Sequence, residues 1–333
     1  MARDFPSGSS AAHPDWPDAV FNVSGLFVYE PLVLGFMKLC EAAFDWRAPV
    51  EAMHGAPAVL WNGGRISPFP LRVEQWHAEI NALYARKVGC FLTFTNHLLE
   101  QADLADPHSN ALLDVIAQRP DINGVIVASD LLSEYIARRY PALRQVASIT
   151  KVAIEGGNGN AAYYRRLGER FWRYVVHPDD CHNPELLEQL DRDKAEIIVN
   201  ENCLRGCAVR ARHYDYIARA QRTQQPHVVS AGISATSAPA GIQTAAVAQQ
   251  VEQSLPECPS IPLTRQIARR RRNCNFTAAE FKAVYDMGFR HFKLQGRRDT
   301  VYSFAYDLTR YLLEPDFAAP LIFKTLCSLI RLS

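Results

Sequence analysis

The 333-residue sequence has no uncharged apolar run of about 18 residues, the length a bilayer-spanning helix needs, so no membrane segment is expected. It has no excess of either charge. Lys plus Arg number 36 and Asp plus Glu 35, so no global field draws the chain to nucleic acid or an anionic surface. Any such binding has to come from a local patch. The first residues, Met1 to Pro17, are rich in Ser, Ala, Pro and Asp and lack the apolar stretch of a secretion signal. They read as a disordered leader (1–17) and the chain as cytoplasmic. Two hydrolase signatures are also missing: there is no H-E-x-x-H helix for a zinc peptidase and no G-x-S-x-G elbow for a serine hydrolase.

Apolar residues make up 48% of the chain, enough for a large core. Short apolar, β-branched runs alternate with helical patterns, the rhythm of parallel strands covered by helices. Eight strands are expected, at Val20–Phe27, Ala58–Trp61, Cys90–Phe94, Gly124–Ala128, Gln145–Ile149, Tyr174–Val176, Ala195–Val199 and His291–Leu294. Between them lie helical patterns at Pro31–Phe44, Val73–Val88, Ser109–Gln118, Leu131–Arg139, Ala161–Arg170 and Asn183–Lys194. Eight such units make an α/β fold, a (β/α)8 TIM-like barrel spanning 18–316. The seventh unit breaks the rhythm. About 90 residues separate Val199 from His291, where roughly 30 suffice for a strand–helix–strand unit. The long insertion between strands 7 and 8, about 203–285, is expected to hold helices at Val209–Arg222 and Ala278–Met287. The apolar tail, 317–333, is expected to pack on the barrel.

Residues just past the strand ends face the catalytic rim of such a barrel. Here they include Asn62-Gly63-Gly64-Arg65, Thr95-Asn96, Asn200-Glu201-Asn202-Cys203 and Gln295-Gly296-Arg297. Glu201 is the candidate general acid/base. His213 is a candidate partner for a cysteine nucleophile, and Lys293 the third catalytic candidate. Asn62, Arg65, Asn96 and Arg297 are candidate substrate contacts, Arg297 through its fixed donor fork.

Eight cysteines occur, and without a secretion signal a disulfide framework is not expected. Cys40, Cys90 and Cys327 have apolar neighbours and read as core fillers. Cys203 and Cys207 stand four residues apart, with Gly206 permitting a tight loop, and Cys258 and Cys274 lie in the same insertion. Four thiolates are what a 4Fe–4S cluster or a structural zinc needs. The later gaps of 50 and 15 residues are not diagnostic, and plain loop thiols are the alternative. A radical adenosylmethionine motif is excluded, because its third cysteine position holds Arg210. An Arg run (Arg265, Arg269, Arg270, Arg271, Arg272) precedes Cys274 and could clamp phosphates of RNA or of a phosphorylated small molecule, although such runs are more often solvated helix faces.

The segment Val199-Asn200-Glu201-Asn202-Cys203-x3-Cys207-x2-Arg210-x2-His213-Tyr214 resembles a signature of the collagenase-like peptidase superfamily. So does Gly288-Phe289-x2-Phe292-Lys293-Leu294-x-Gly296-Arg297. Upstream pieces are similar in the same order: Leu92-Thr93-Phe94-Thr95-Asn96, Asn123-Gly124-Val125-Ile126-Val127 and Leu132-x2-Glu134-Tyr135-Ile136-x3-Tyr140-Pro141. The resemblance implies a barrel with a four-cysteine 4Fe–4S cluster that supports oxygen-independent hydroxylation of RNA bases or ubiquinone precursors. It would make Cys203 and Cys207 two ligands and Cys258 and Cys274 the best candidates for the others. The ligand spacing departs from those branches, and Ala208 stands where near relatives carry proline. Three functions follow. They are an iron–sulfur enzyme acting on an anionic or aromatic small molecule or RNA, a peptidase, and a non-enzymatic subunit binding a protein partner or a second copy of itself.

Overall fold

In the computed structural model, residues 11–57, 59–63, 73–230, 273–296 and 300–332 are described. The strands β1 (Val20–Ser24), β2 (Val50–Gly55), β3 (Gly89–Phe94), β4 (Gly124–Val127), β5 (Arg144–Ala147), β6 (Arg173–Val175) and β7 (Ala195–Ile198) run parallel and in order around a barrel. The eighth barrel strand, β10 (His291–Leu294), pairs with both β7 and β1 and closes it. The expected (β/α)8 architecture is therefore present, with residues 199–290 inserted before the last barrel strand. The chain leaves β7 through Val199 into β8 (Asn200–Leu204), then α8 (Arg210–Ser230), and returns as β9 (Asn273–Asn275), antiparallel to β8. The helix α9 (Ala278–Asp286) follows, opened by a Thr277/Glu280 capping box. Cys258 and the Arg run at 265–272 lie outside the described residues.

One strand is misplaced in the sequence reading. β2 is Val50–Gly55, not Ala58–Trp61. Glu51 and His54 break the apolar run that marks a buried strand, yet both are satisfied by partners from other strands. Arg173 Nη1 donates to Glu51 Oε2 at 2.5 Å, and His54 Nδ1 lies 2.8 Å from Asn22 Oδ1. The Trp61 segment is a loop whose indole N–H donates to the Asp103 carbonyl and whose ring meets Phe94 edge-on. A second correction concerns the leader. Residues 11–17 are ordered against the barrel, with Ala12 bridged to Leu313 and the buried Trp16 indole donating to the Tyr311 carbonyl at 2.7 Å. The helix expected over 183–194 shortens to Pro184–Leu187, after which the chain turns toward β7. Cys40 and Cys90 are core residues, while Cys327 is only half-buried. The tail forms α11 (Ala318–Leu332), packed on α1 (Glu30–Phe44) and α10 (Val301–Leu312). No helix among the described residues is long and apolar enough to cross a membrane.

The barrel interior is uneven, and that positions the site. Ala52, Phe91, Ile126, Val146, Val175 and Ile198, one from each of β2 to β7, form a small apolar plug. The closing strands β1 and β10 contribute Asn22 and Lys293 at paired register positions instead. The Lys293 ammonium donates to Glu196 Oε2 at 3.2 Å, with side chains only 7% and 3% exposed. Removing one partner of such a pair strands a buried charge, whereas replacing both with apolar groups often costs nothing. Glu196→Ala is accordingly expected to lower stability by about 3–5 kcal/mol, and Glu196→Leu combined with Lys293→Met to recover most of it. Urea unfolding of the two variants checks this, and equal losses in both would contradict it.

Candidate functional site

A pocket opens at the carboxyl ends of the barrel strands and encloses about 1210 Å³, its open mouth included. Its floor is Ile126, Val175 and Ile198, the top of the apolar plug, together with Lys293. Ser24, His54, Thr93, Thr95 and Ser148 supply a polar ring from four other strand ends. The remaining wall is built by the insertion: Asn200, Glu201, Asn202 and Cys203 from β8, and Arg210, His213, Tyr214 and Ile217 from α8.

Backbone clamps fix that wall. Tyr311 donates its hydroxyl to the Val199 carbonyl at 3.0 Å, where the chain turns out of the barrel. Asn200 Nδ2 donates to the Gln295 carbonyl at 2.6 Å and to Asp307 Oδ2 at 2.9 Å, while its Oδ1 accepts from Gln295 N. The ends of β7 and β10 are thus tied together through one amide. Glu201 is held next to it: Oε1 accepts from Cys203 N at 2.9 Å, and Oε2 accepts from Gln295 Nε2 at 3.0 Å.

The three described cysteines of the insertion gather behind Glu201. Cys274 faces Glu201 across the β8–β9 pair. Gly206, in the left-handed conformation at φ 62°, turns the chain so that Cys207 comes back to Cys203. The Cys203 thiol hydrogen-bonds to Cys207, which pulls the Cys207 thiol down to about 6 against the effect of burial, with help from Val209 N–H and Arg210. The same contact, then burial and Glu201, push Cys203 far up. Burial holds Cys274 at about 12 despite Arg210.

Arg210 is the cation among these thiols and is only 5% exposed. Its Nη2 donates to the Leu204 carbonyl at 2.7 Å and Asp179 Oδ1 at 3.1 Å, and reaches Cys274 Sγ at 3.8 Å. Among the described residues, its Nε and Nη1 have no hydrogen-bond partner. Burial works against its charge, but Cys203, Tyr214, Asp179 and Glu201 outweigh that and raise its pKa. Asp179 also accepts from Gly206 N at 2.9 Å and lies 3.6 Å from Cys274 Sγ. Nearby His177 is lowered to about 4 by burial and then by Arg210, so its imidazole is neutral at physiological pH.

The structure thus brings together Glu201, Cys203, His213 and Lys293 in the pocket lining, with Cys207 and Cys274 beside it. Asn62 and Asn96 are not among the lining residues, because backbone groups occupy their amides. Asn62 Nδ2 donates to the Ala56 and Pro57 carbonyls, and Asn96 Nδ2 to the Leu60 carbonyl. Their neighbour Gly63 does line the pocket. A Cβ there would stand 2.2 Å from the Thr95 carbonyl oxygen, so glycine is required by the close approach of two loops. Arg65 and Arg297 lie outside the described residues. The sequence reading missed His54, hidden by the misplaced second strand, and Asp179, whose partners in the insertion are 27 to 95 residues away.

An iron–sulfur cluster or zinc can be weighed against these residues. The donor chemistry fits: thiols collected from two distant segments, beside a buried guanidinium with donors to spare, suit an anionic thiolate-bound group. Among the described residues, no three His, Cys, Asp or Glu side chains are arranged to hold a single metal ion as they stand.

No family model matches this sequence, and no curated protein matches it. The chain is similar to a solved structure, that of the U32 peptidase Mk0906. The two superpose with a TM-score of 0.49 at 11% identity, over 89% of this chain and 97% of that one. A likeness at that level carries no part of the argument below.

In metal-free protein, the pH midpoint for alkylation of Cys207 is expected near the value of about 6 set chiefly by the Cys203 thiol. Cys203→Ala removes that donor, so the midpoint should rise toward an ordinary thiol, about 8.5. Mass spectrometry of iodoacetamide-treated protein reads both, and an unchanged midpoint in the variant would remove the proposed cause.

Proposed function

We propose that this chain is a redox enzyme acting in the rim pocket, with an iron–sulfur cluster held by the cysteines of the insertion. The supporting observation is the convergence of Cys203 and Cys207 with Cys274, distant in sequence, around a buried Arg210 at the pocket wall. Cys203, Cys207 and Cys274 would hold a 4Fe–4S cluster, with Cys258 the remaining thiol of the insertion, and zinc is the alternative metal. When bound, such a cluster supplies electron transfer next to the pocket. The resemblance of the cysteine segment to the collagenase-like peptidase superfamily points to oxygen-independent hydroxylation or a related tailoring of an anionic or aromatic substrate.

The chain's own residues perform the rest. Glu201, aimed by Cys203 N and Gln295 Nε2, is the carboxylate placed to exchange a proton with a substrate at the wall. His54, on β2, is a second proton-transfer group in the pocket lining. Asn22 Oδ1 only accepts, so His54 Nδ1 carries the proton between them. The isoleucine and valine floor excludes water beneath the substrate. Lys293, neutralised by Glu196, gives that floor a polar point without a net charge.

One observation favours a second reading. The Cys203–Cys207 contact makes Cys207 a thiolate near neutral pH, which suits a metal-free thiol nucleophile beside the pocket that His213 lines, as in a cysteine peptidase. Purification without oxygen separates the two. The cluster reading expects brown protein with about four irons per chain, and loss of iron and colour in Cys203→Ala/Cys207→Ala with unchanged circular dichroism. Colourless, iron-free wild-type protein that cleaves peptides and is inhibited by iodoacetamide would replace it with the thiol reading.

A further inference from the structure

Arg210 carries more hydrogen-bonding capacity than the protein around it uses. Its Nη2 is engaged by Asp179, Leu204 and Cys274, yet Nε and Nη1 are buried and unpartnered. A buried charged donor left unsatisfied is costly, more so than a neutral one, and native structures rarely tolerate it without a reason. Asp179 neutralises the cation only in part, because its Oδ1 is shared with Gly206 N–H and lies against the Cys274 sulfur. Sulfur lies against the guanidinium: Cys274 Sγ is 3.8 Å from Nη2, and Cys203 lines the same pocket wall as Arg210. A thiolate-bound cluster is anionic, and it brings sulfur acceptors where those two donors are spare.

We propose that Arg210 is the charge-compensating donor of the cysteine centre and that, with Asp179 acting in the opposite sense, it sets the reduction potential of the cluster held there; this rests on the cluster reading above. Reduction adds negative charge. A guanidinium within contact of the sulfurs stabilises the reduced state, and a carboxylate at 3.6 Å from Cys274 Sγ destabilises it. The two residues form one ion pair at 3.1 Å, yet their removal is expected to move the potential in opposite directions. A purely structural role for the pair does not predict that.

The experiment is protein-film voltammetry with parallel iron analysis on the full chain purified without oxygen, for wild type, Arg210→Gln, Arg210→Lys and Asp179→Asn. In Arg210→Gln the reduced-to-oxidised ratio at a fixed potential is expected to fall at least tenfold, about 59 mV for one electron, with iron retained. Arg210→Lys keeps the charge and should stay near wild type, and Asp179→Asn should shift toward easier reduction. Wild-type midpoints in the Arg210 variants at full iron content would overturn the inference. So would shifts of the same sign in Arg210→Gln and Asp179→Asn, or loss of iron in both Arg210 variants, since each makes the residue structural. Iron-free wild-type protein is a separate result: it removes the cluster reading, and the inference with it.

Discussion

A guanidinium withdrawn from water has to be balanced by the groups packed around it, and the insertion wall of the pocket is arranged about that requirement. Arg210 holds Asp179, the end of β8 and the Cys274 sulfur on one nitrogen. Asp179 in turn pins the Gly206 turn that returns Cys207 to Cys203. One guanidinium thus links β8, β9 and, through Asp179, the turn that carries Cys207. The thiols gather where they do because a cation is buried among them.

That wall would have no fixed position without the way the barrel closes. Six strands fill the interior with one apolar residue each, while β1 and β10 bring Asn22 and Lys293. The polar side of the interior continues upward into His54, Asn200 and Gln295, so the pocket is polar where the chain leaves the barrel and apolar beneath. Asn200 binds both sides of that departure point, and Tyr311 closes it from outside. A barrel has no free edge strand to work with, and the ribbon of β8 and β9 supplies one above the rim.

The fold was largely legible because parallel strands buried on both faces leave continuous apolar runs. Seven of the eight expected strands lie where those runs are, within a few residues. The exception, β2, spends Glu51 and His54 on partners 122 and 32 residues away, and no local pattern reports such pairing. Residues 11–17 of the expected leader pack on the barrel for a similar reason: the Trp16 indole donates to the Tyr311 carbonyl, 295 residues on. Of the residues picked out by type, Glu201, Cys203, His213 and Lys293 line the rim pocket. Asn62 and Asn96 do not line it, because an asparagine at a strand end serves a loop as readily as a ligand. Arg210 was visible only as the residue that breaks a third cysteine position. Its burial among thiols depends on Asp179 and β9 and is a property of the fold.

The most direct measurement is anomalous diffraction at the iron edge from crystals grown without oxygen. The account predicts a compact anomalous peak within bonding distance of the sulfurs of Cys203 and Cys207, with the Arg210 guanidinium against it. Ordered Cys203 and Cys207 thiols in direct contact, with no anomalous density beside them, would contradict it.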